Sequence, residues 1–364
     1  MVKQSLSTLL VVLVALALVP ASFGQADSAA EQFKLGTFDI DGDQRVGIVL
    51  RDSIVIELAA ANRDLENRAT TVAIPVPGDM VELIGRWEYG ARSRTYEIVN
   101  AVVNEGQLGA INRPDYIHDL ADVRTLAPIL YPSKMVNAAS NYYGHVDEGT
   151  SREQQAATEA ARRANRGLPY MFNKPTMGAI IGNGDDIILP RGRESIDWET
   201  EIGVVIGRAA KYVSVEDAED YIFGYTIMLD MSDRGGRDEE VERYGGSDWL
   251  LAKGHDTFAP MGPFIVPKEF MPDPMDIDQQ LRINGVLIQD GNSTDMIHNI
   301  YELIEYGSEI QTLFPADVVA AGSPEGTGMS LSVRDEQIFL NPGDEIVATI
   351  EGIGTLRHTV REEQ

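Results

Sequence analysis

The sequence predicts a mainly β protein of the α+β class, and three observations carry that prediction. Between residues 34 and 125, short alternating runs such as RVGIVL and SIVIEL are separated by Asp-Gly and Arg-Asp turns, the period-two pattern of strands with one buried face. From residue 169 onward the runs DDIILP, EIGVVIG, YTIMLD, PFIVP, QLRINGVLIQDG and DEIVATIEGIG follow one another, divided by turn signals at Asn284-Gly285 and Pro342-Gly343-Asp344. Helical periodicity in this half is confined to a few segments, notably 215–223 and 296–310.

Taken in order, residues 1–24 combine Lys3, an apolar run over 9–19 and small residues at Ala21, Ser22 and Gly24. That is the chemistry of a secretory signal peptide, with an uncleaved anchor as the alternative, and it places the mature chain in a periplasm or outside the cell. Residues 25–33 are polar and Ala-rich, a flexible lead. Residues 34–125 read as a small β-rich N-terminal domain. Within it DIDGDQ, 39–44, lacks the Gly and Glu that a calcium loop needs at its sixth and twelfth positions, so it reads as a hairpin turn. In 151–167, Ser151 and Gln154 make a capping box and the Ala/Arg run a short helix stopped by Gly167. The apolar face of that helix is nearly all Ala, which suits a lid over a site. Residues 126–364 form the second domain.

The net charge of −27 repels phosphate backbones and anionic lipid, which argues against nucleic-acid partners and membrane adsorption after signal cleavage. Zero cysteines exclude disulfides, thiolate metal sites and a cysteine nucleophile. No nucleophile elbow, phosphate loop or dinucleotide fingerprint is present.

The chemistry concentrates in three stretches. In IDWETEIGVVIGR, 196–208, alternation puts Glu199 and Glu201 on one face of a strand. An isolated Glu-x-Glu is ordinarily a solvated face. Here, however, GYTIMLDMSDR supplies a third carboxylate, Asp230, followed by Ser232 and Arg234. Carboxylates without imidazole or thiolate suit a hard divalent cation, Mg²⁺ foremost, with Mn²⁺ or Ca²⁺ as alternatives. DWLLAKGHDTF places Lys253 among apolar residues, and NYYGHVDE sets His145 and Glu148 one helical turn apart, so that the carboxylate orients the ring and raises its basicity.

From about residue 135 to the C-terminus the chain resembles the fumarylacetoacetate hydrolase family. The likeness rests on NYYGHVDE, FNKPTMGAIIGNGDDIILP, DWETEIGVVIG, YIFGYTIMLDMSDR, LLAKGHDTFAPMGPFIV, LRINGVLIQDGNSTDMIHNIYELI, LFPADVVAAGSPEGTG and LNPGDEIVATIEGIGTLRHTV, in the family's order. The resemblance implies a mixed β-sandwich roll behind a small β-rich N-terminal domain, a homodimer, and a small 2-oxo acid as substrate. It assigns Glu199, Glu201 and Asp230 as metal ligands, His145 and Glu148 as the water-activating dyad, and Lys253 as the lysine facing the developing oxyanion. It also assigns Arg234 and Ser323 to substrate binding. Where the family reads NDVSARDLQ this chain has LDMSDRGGR, so Arg237 stands in place of a substrate-contacting glutamine and implies a more acidic substrate. The activity implied is hydrolysis of a C–C bond in a β-diketo acid through an enolate, the alternative being decarboxylation or tautomerisation of an oxaloacetate-like or hydroxymuconate-like acid.

Overall fold

The computed structural model describes residues 26–68, 71–109, 111, 113–236, 248–331 and 334–364. The signal segment over 1–24 and Arg237 lie outside the described residues. Within them no helix is long and apolar enough to cross a membrane.

Two sheets carry the molecule. The larger has twelve strands, and its path runs Ile117–Asp119, Ile54–Glu57, Asp43–Leu50, Phe33–Ile40, Ala259–Pro267, Ile222–Leu229, Thr200–Ile206, Val318–Ala320, Met135–Ala138 and Met171–Lys174. The second has five strands, Val286–Asn292, Asp278–Ile283, Glu345–Ile350, Gly354–Glu362 and Asp186–Leu189. The fold is therefore mainly β, as the sequence predicts. The N-terminal strands continue the same large sheet, Leu35 pairing with Ile265.

The central strands of the large sheet are buried on both faces. Along Thr200–Ile206 the side chains of Ile202, Val204 and Ile206 enter a core shared with Leu281, Ile346 and Leu356 of the second sheet. Val205, on the opposite face, enters a core shared with Leu58, Ile98 and Val99 of the N-terminal helices. A strand sandwiched in this way must be apolar on both sides unless a built polar site interrupts it.

Helices occupy much of the segment read as β-rich: α1 is Leu58–Glu66, α2 Met80–Gly85 and α3 Ala91–Asn104. In α3, Thr95, Ile98, Val99 and Val102 recur at three- and four-residue spacing and are buried, a helical stripe. Arg94, buried with them, donates from Nε to Glu97 at 2.7 Å and from its guanidinium to Asn62 on α1. The two hairpin turns come out as read, Asp41-Gly42 joining Ile40 to Asp43 and Asn284-Gly285 joining Ile283 to Val286, all four turn residues at positive φ.

Three local expectations differ. Helix α4, Arg152–Ala164, is capped by Ser151 Oγ accepting from Gln154 N at 3.3 Å, but the return arm of a capping box is absent among the described residues. Residues 215–223 give a short 3₁₀ turn, Ala218–Tyr221, because IFGYTIML is buried on both faces and runs as a sheet strand from Ile222. After α5, Trp249–Lys253, the helix expected over 296–310 starts at Ile300 as α6, Ile300–Ile310. Asn299 sets that start: its side chain accepts from Glu302 N at 2.9 Å while Glu302 accepts from Asn299 N at 2.8 Å, a complete capping box.

Candidate metal and proton-transfer site

Glu199 immediately precedes the strand Thr200–Ile206, Glu201 lies within it, and Asp230 follows the end of its antiparallel neighbour Ile222–Leu229, where Thr200 pairs with Leu229. That pairing brings the three carboxyl groups together although Asp230 is distant in sequence. They are not a solvated face: Glu199 is 5%, Glu201 1% and Asp230 1% exposed. One oxygen from each lies within 4.8 Å of the others.

Two ammonium groups enter the cluster. Lys253 Nζ, at the end of α5, donates to Glu199 Oε2 at 2.6 Å, Asp230 Oδ2 at 2.7 Å and Ser232 Oγ at 2.6 Å. Lys174 Nζ donates to Asp230 Oδ1 and to the Met231 carbonyl at 2.8 Å. Arg234 donates from Nε to Asp197 Oδ1 at 2.8 Å and from Nη2 to Glu199 Oε1 at 2.5 Å. Among the described residues no cationic side chain donates to Glu201; its Oε2 accepts the Gly322 N–H at 3.0 Å. Gly322 needs its positive φ of 88° there, and a Cβ would stand 2.7 Å from Asn141 Cβ.

These surroundings separate Glu199 from Glu201. Burial works against charge on Glu199, but Lys253, Arg234 and His145 outweigh it and hold its carboxyl well below the usual range. Burial, then the charges of Asp230 and Glu199, push Glu201 well above it. Burial also lowers the Lys174 ammonium to about 8 and raises Asp197 to about 6, with Asp230 and Arg234 respectively opposing. A carboxylate pressed by two others, with no cationic side chain bonded to it among the described residues, is what a bound cation would relieve. The oxygen-only donor set and its spacing fit a hard divalent ion, whose opposed ligands stand roughly 4–5 Å apart.

His145 ends the short 3₁₀ turn Tyr143–His145. Its Nδ1 lies 2.6 Å from Glu148 Oε2, which leaves Nε2 turned to Glu199 Oε1 at 3.5 Å. Glu148 is itself held by the Gly326 N–H and by Thr327 Oγ1 at 2.8 Å. Gly326 is at φ 104°, and a Cβ there would collide with the Ile288 carbonyl. Burial opposes a charged ring, but Glu148 and then Glu199 lift His145 to about 10. A cavity of about 60 Å³ joins these parts, with His145, Glu201, Lys253, Ser323, Phe172 and Trp249 among its lining residues. The Ser323 hydroxyl accepts from Gln289 Nε2 at 2.8 Å, and Gln289 Oε1 accepts from Thr200 N at 3.0 Å, so one glutamine ties that wall to the acidic strand.

The fold thus brings together His145, Glu148, Lys253, Arg234, Ser323, Glu199, Glu201 and Asp230, while Arg237 falls outside the described residues. Sequence reasoning missed Lys174, Asp197, Gln289 and the N–H groups of Gly322 and Gly326. Lys174 sat in the quoted stretch FNKPTMG and carried a signal; an N–H donor carries none beyond its glycine.

The model of the fumarylacetoacetate (FAA) hydrolase C-terminal region matches residues 134–361. The chain belongs to this family. A mitochondrial oxaloacetate tautomerase of Bos taurus is 36% identical over 240 residues, 66% of this chain and 70% of the relative. Maleylpyruvate hydrolase of Sphingobium sp. SYK-6, solved with manganese(II) and pyruvate, superposes with a TM-score of 0.65 at 28% identity, over 91% of this chain and all of that one. A 5-carboxymethyl-2-hydroxymuconate delta-isomerase of Mycobacterium smegmatis gives 0.62 at 29% identity, over 91% of this chain and 99% of that one. The family's relatives of this chain are thus hydrolases and isomerases, and a divalent cation is supported by the acidic triad together with the manganese complex.

Proposed function

We propose that the chain is a Mg²⁺-dependent hydrolase that cleaves a C–C bond of an acylpyruvate-like or fumarylacetoacetate-like β-diketo acid. The observation that carries this reading is the His145–Glu148 dyad, whose Nε2 faces Glu199 of the carboxylate cluster in one small cavity. When bound at Glu199, Glu201 and Asp230, the cation supplies a Lewis acid for the 2-oxo acid end of the substrate. Glu199, once its charge is met by a bound cation, holds the ring charged less strongly, and Glu148 fixes the neutral form so that Nε2 takes a proton from water. The hydroxide adds to the distal carbonyl carbon, the C–C bond breaks, and its electron pair becomes the enolate of pyruvate. Lys253, whose three donors are taken by Glu199, Asp230 and Ser232 in this structure, would set its positive charge beside that enolate. The proton on His145 then passes to the enolate carbon, so acylpyruvate and water give a carboxylic acid and pyruvate.

A second reading has support of its own: tautomerisation of an oxaloacetate-like acid, which needs proton transfer by His145 but no water attack. The bovine relative and the small cavity favour it. An absorbance assay separates the two, using acylpyruvates, fumarylacetoacetate and the enol of oxaloacetate with Mg²⁺, Mn²⁺ or chelator. Pyruvate release from an acylpyruvate, lost with chelator and in Glu201→Gln, is the expected result. Turnover that survives both treatments sinks the metal-dependent reading, and enol loss without any C–C cleavage selects the tautomerase.

A further inference from the structure

The mouth of the cavity is built differently from its floor. Phe172 stacks on Trp249 with ring centroids 4.7 Å apart at 28°, and Tyr170 meets Trp249 edge-on at 5.6 Å and 77°. Phe172 and Trp249 line the same cavity as the three carboxylates. Tyr170 extends the rings outward, 57% exposed, and Leu168 and Leu250 beside them in sequence are each 76% exposed.

The elements explain the arrangement. The strand Met171–Lys174 carries Phe172 and Lys174 two residues apart, hence on one face, with the ammonium at the acidic floor and the ring above it. Helix α5 carries Trp249 and Lys253 four residues apart, again one side of one element. Lys253 Nζ stands 5.4 Å from the Phe172 ring centre. Two independent elements each set a cation at the floor and an aromatic ring at the mouth. Apolar area left open beside a polar pocket is unfavourable to solvate, and a ligand with a charged head and an apolar tail would cover it.

We infer that Phe172, Trp249 and Tyr170 form the subsite for the acyl arm, and that this site selects acylpyruvates whose acyl carbon bears an aryl or long alkyl group. The inference rests on the 2-oxo acid reading of the same site. It points away from the more acidic substrate that Arg237 implies. The rings act on binding, so the arm changes KM more than kcat.

The test has two arms. In turnover, kcat/KM is compared for an acylpyruvate ending in phenyl and one ending in methyl, in wild type, Tyr170→Ala and Trp249→Ala. The wild type should favour phenyl by about tenfold. Each variant should cut that ratio by about two- to tenfold, chiefly through KM. A variant that merely damages the fold lowers both substrates and leaves the ratio unchanged. In binding, phenylpyruvate and pyruvate are titrated calorimetrically into the Mn²⁺-loaded full chain, which needs no turnover. Tighter binding of phenylpyruvate, reduced in Tyr170→Ala, keeps the subsite even if no acylpyruvate is cleaved and the hydrolase reading falls. Equal affinity for the two acids, or an unchanged phenyl-to-methyl ratio in both variants, overturns it.

Discussion

The floor and the side wall of one cavity are held in contrasting ways. On the floor, Glu199, Glu201 and Asp230 sit on or at the ends of paired strands whose other residues fill two cores. On the wall, His145 and Glu148 stand on a short turn, followed by α4, in which Gln155 is the sole buried residue. Helix α6 shows what a core helix of similar length looks like, burying Ile300, Leu303, Ile304, Gly307 and Ser308. The dyad is therefore held by hydrogen bonds from Gly326 and Thr327 and by the buried Tyr142 and Val146 that flank His145, not by α4. On the proposed function, cation affinity belongs to the sheet and proton transfer to the turn, and mutation should separate them.

The largest effect should come from His145→Ala, which is expected to lower kcat by about 10²–10⁴-fold while leaving Mn²⁺ affinity within about threefold by calorimetry. A collapse of metal affinity in that variant would break the division between floor and wall. Next, Glu201→Gln should weaken Mn²⁺ binding by about a hundredfold, because a neutral amide is a poorer ligand for a hard cation. The same variant should raise the melting temperature of the chelated protein, since burial, Asp230 and Glu199 make the Glu201 carboxyl harder to ionise folded than unfolded, a cost the amide does not carry. A lower melting temperature in chelator would show that Glu201 stabilises the floor without a metal.

The scaffold has a pH dependence of its own. Burial lowers His358 from 6.5 to about 4, with its Nδ1 against the Asp185 carbonyl at 2.9 Å. The unfolded chain takes up that proton near pH 6.5 and the folded chain not until near 4, so stability falls as pH drops through this window, by roughly 3 kcal/mol in total. His358→Gln should flatten the slope of unfolding free energy between those pH values; an unchanged slope would assign the acid loss elsewhere. The smallest effect sharpens the wall: Thr327→Val removes the hydroxyl donor to Glu148 Oε2 and should cost about tenfold in kcat, with Thr327→Ser restoring it. Equal loss in both variants would mean that the hydroxyl does not position the dyad.

Much of this division was legible beforehand where the signal is local. Alternation marked the strand bearing Glu201, the Asp-Gly and Asn-Gly turns marked their hairpins, and residue type marked the acids, the histidine and Lys253. The helices of 58–104 were missed because their apolar residues are interleaved with Arg, Glu and Asn, which on short windows imitates strand alternation. The return arm expected from Gln154 failed as well: the adjacent Gln155 donates instead to the Gly144 carbonyl at 2.7 Å.

The sequence by itself determined which chemical groups the protein owns and the local periodicities that make strands of them. Only the tertiary structure decided that Glu199 and Glu201 are buried, that Lys253 bonds Glu199 and Asp230 while no described cationic side chain bonds Glu201, and that Gly322 and Gly326 aim N–H groups at Glu201 and Glu148. The reason is physical. The charge state and reach of a group depend on solvent exclusion and on partners brought close by strand pairing, and neither is encoded in the residues next to it along the chain.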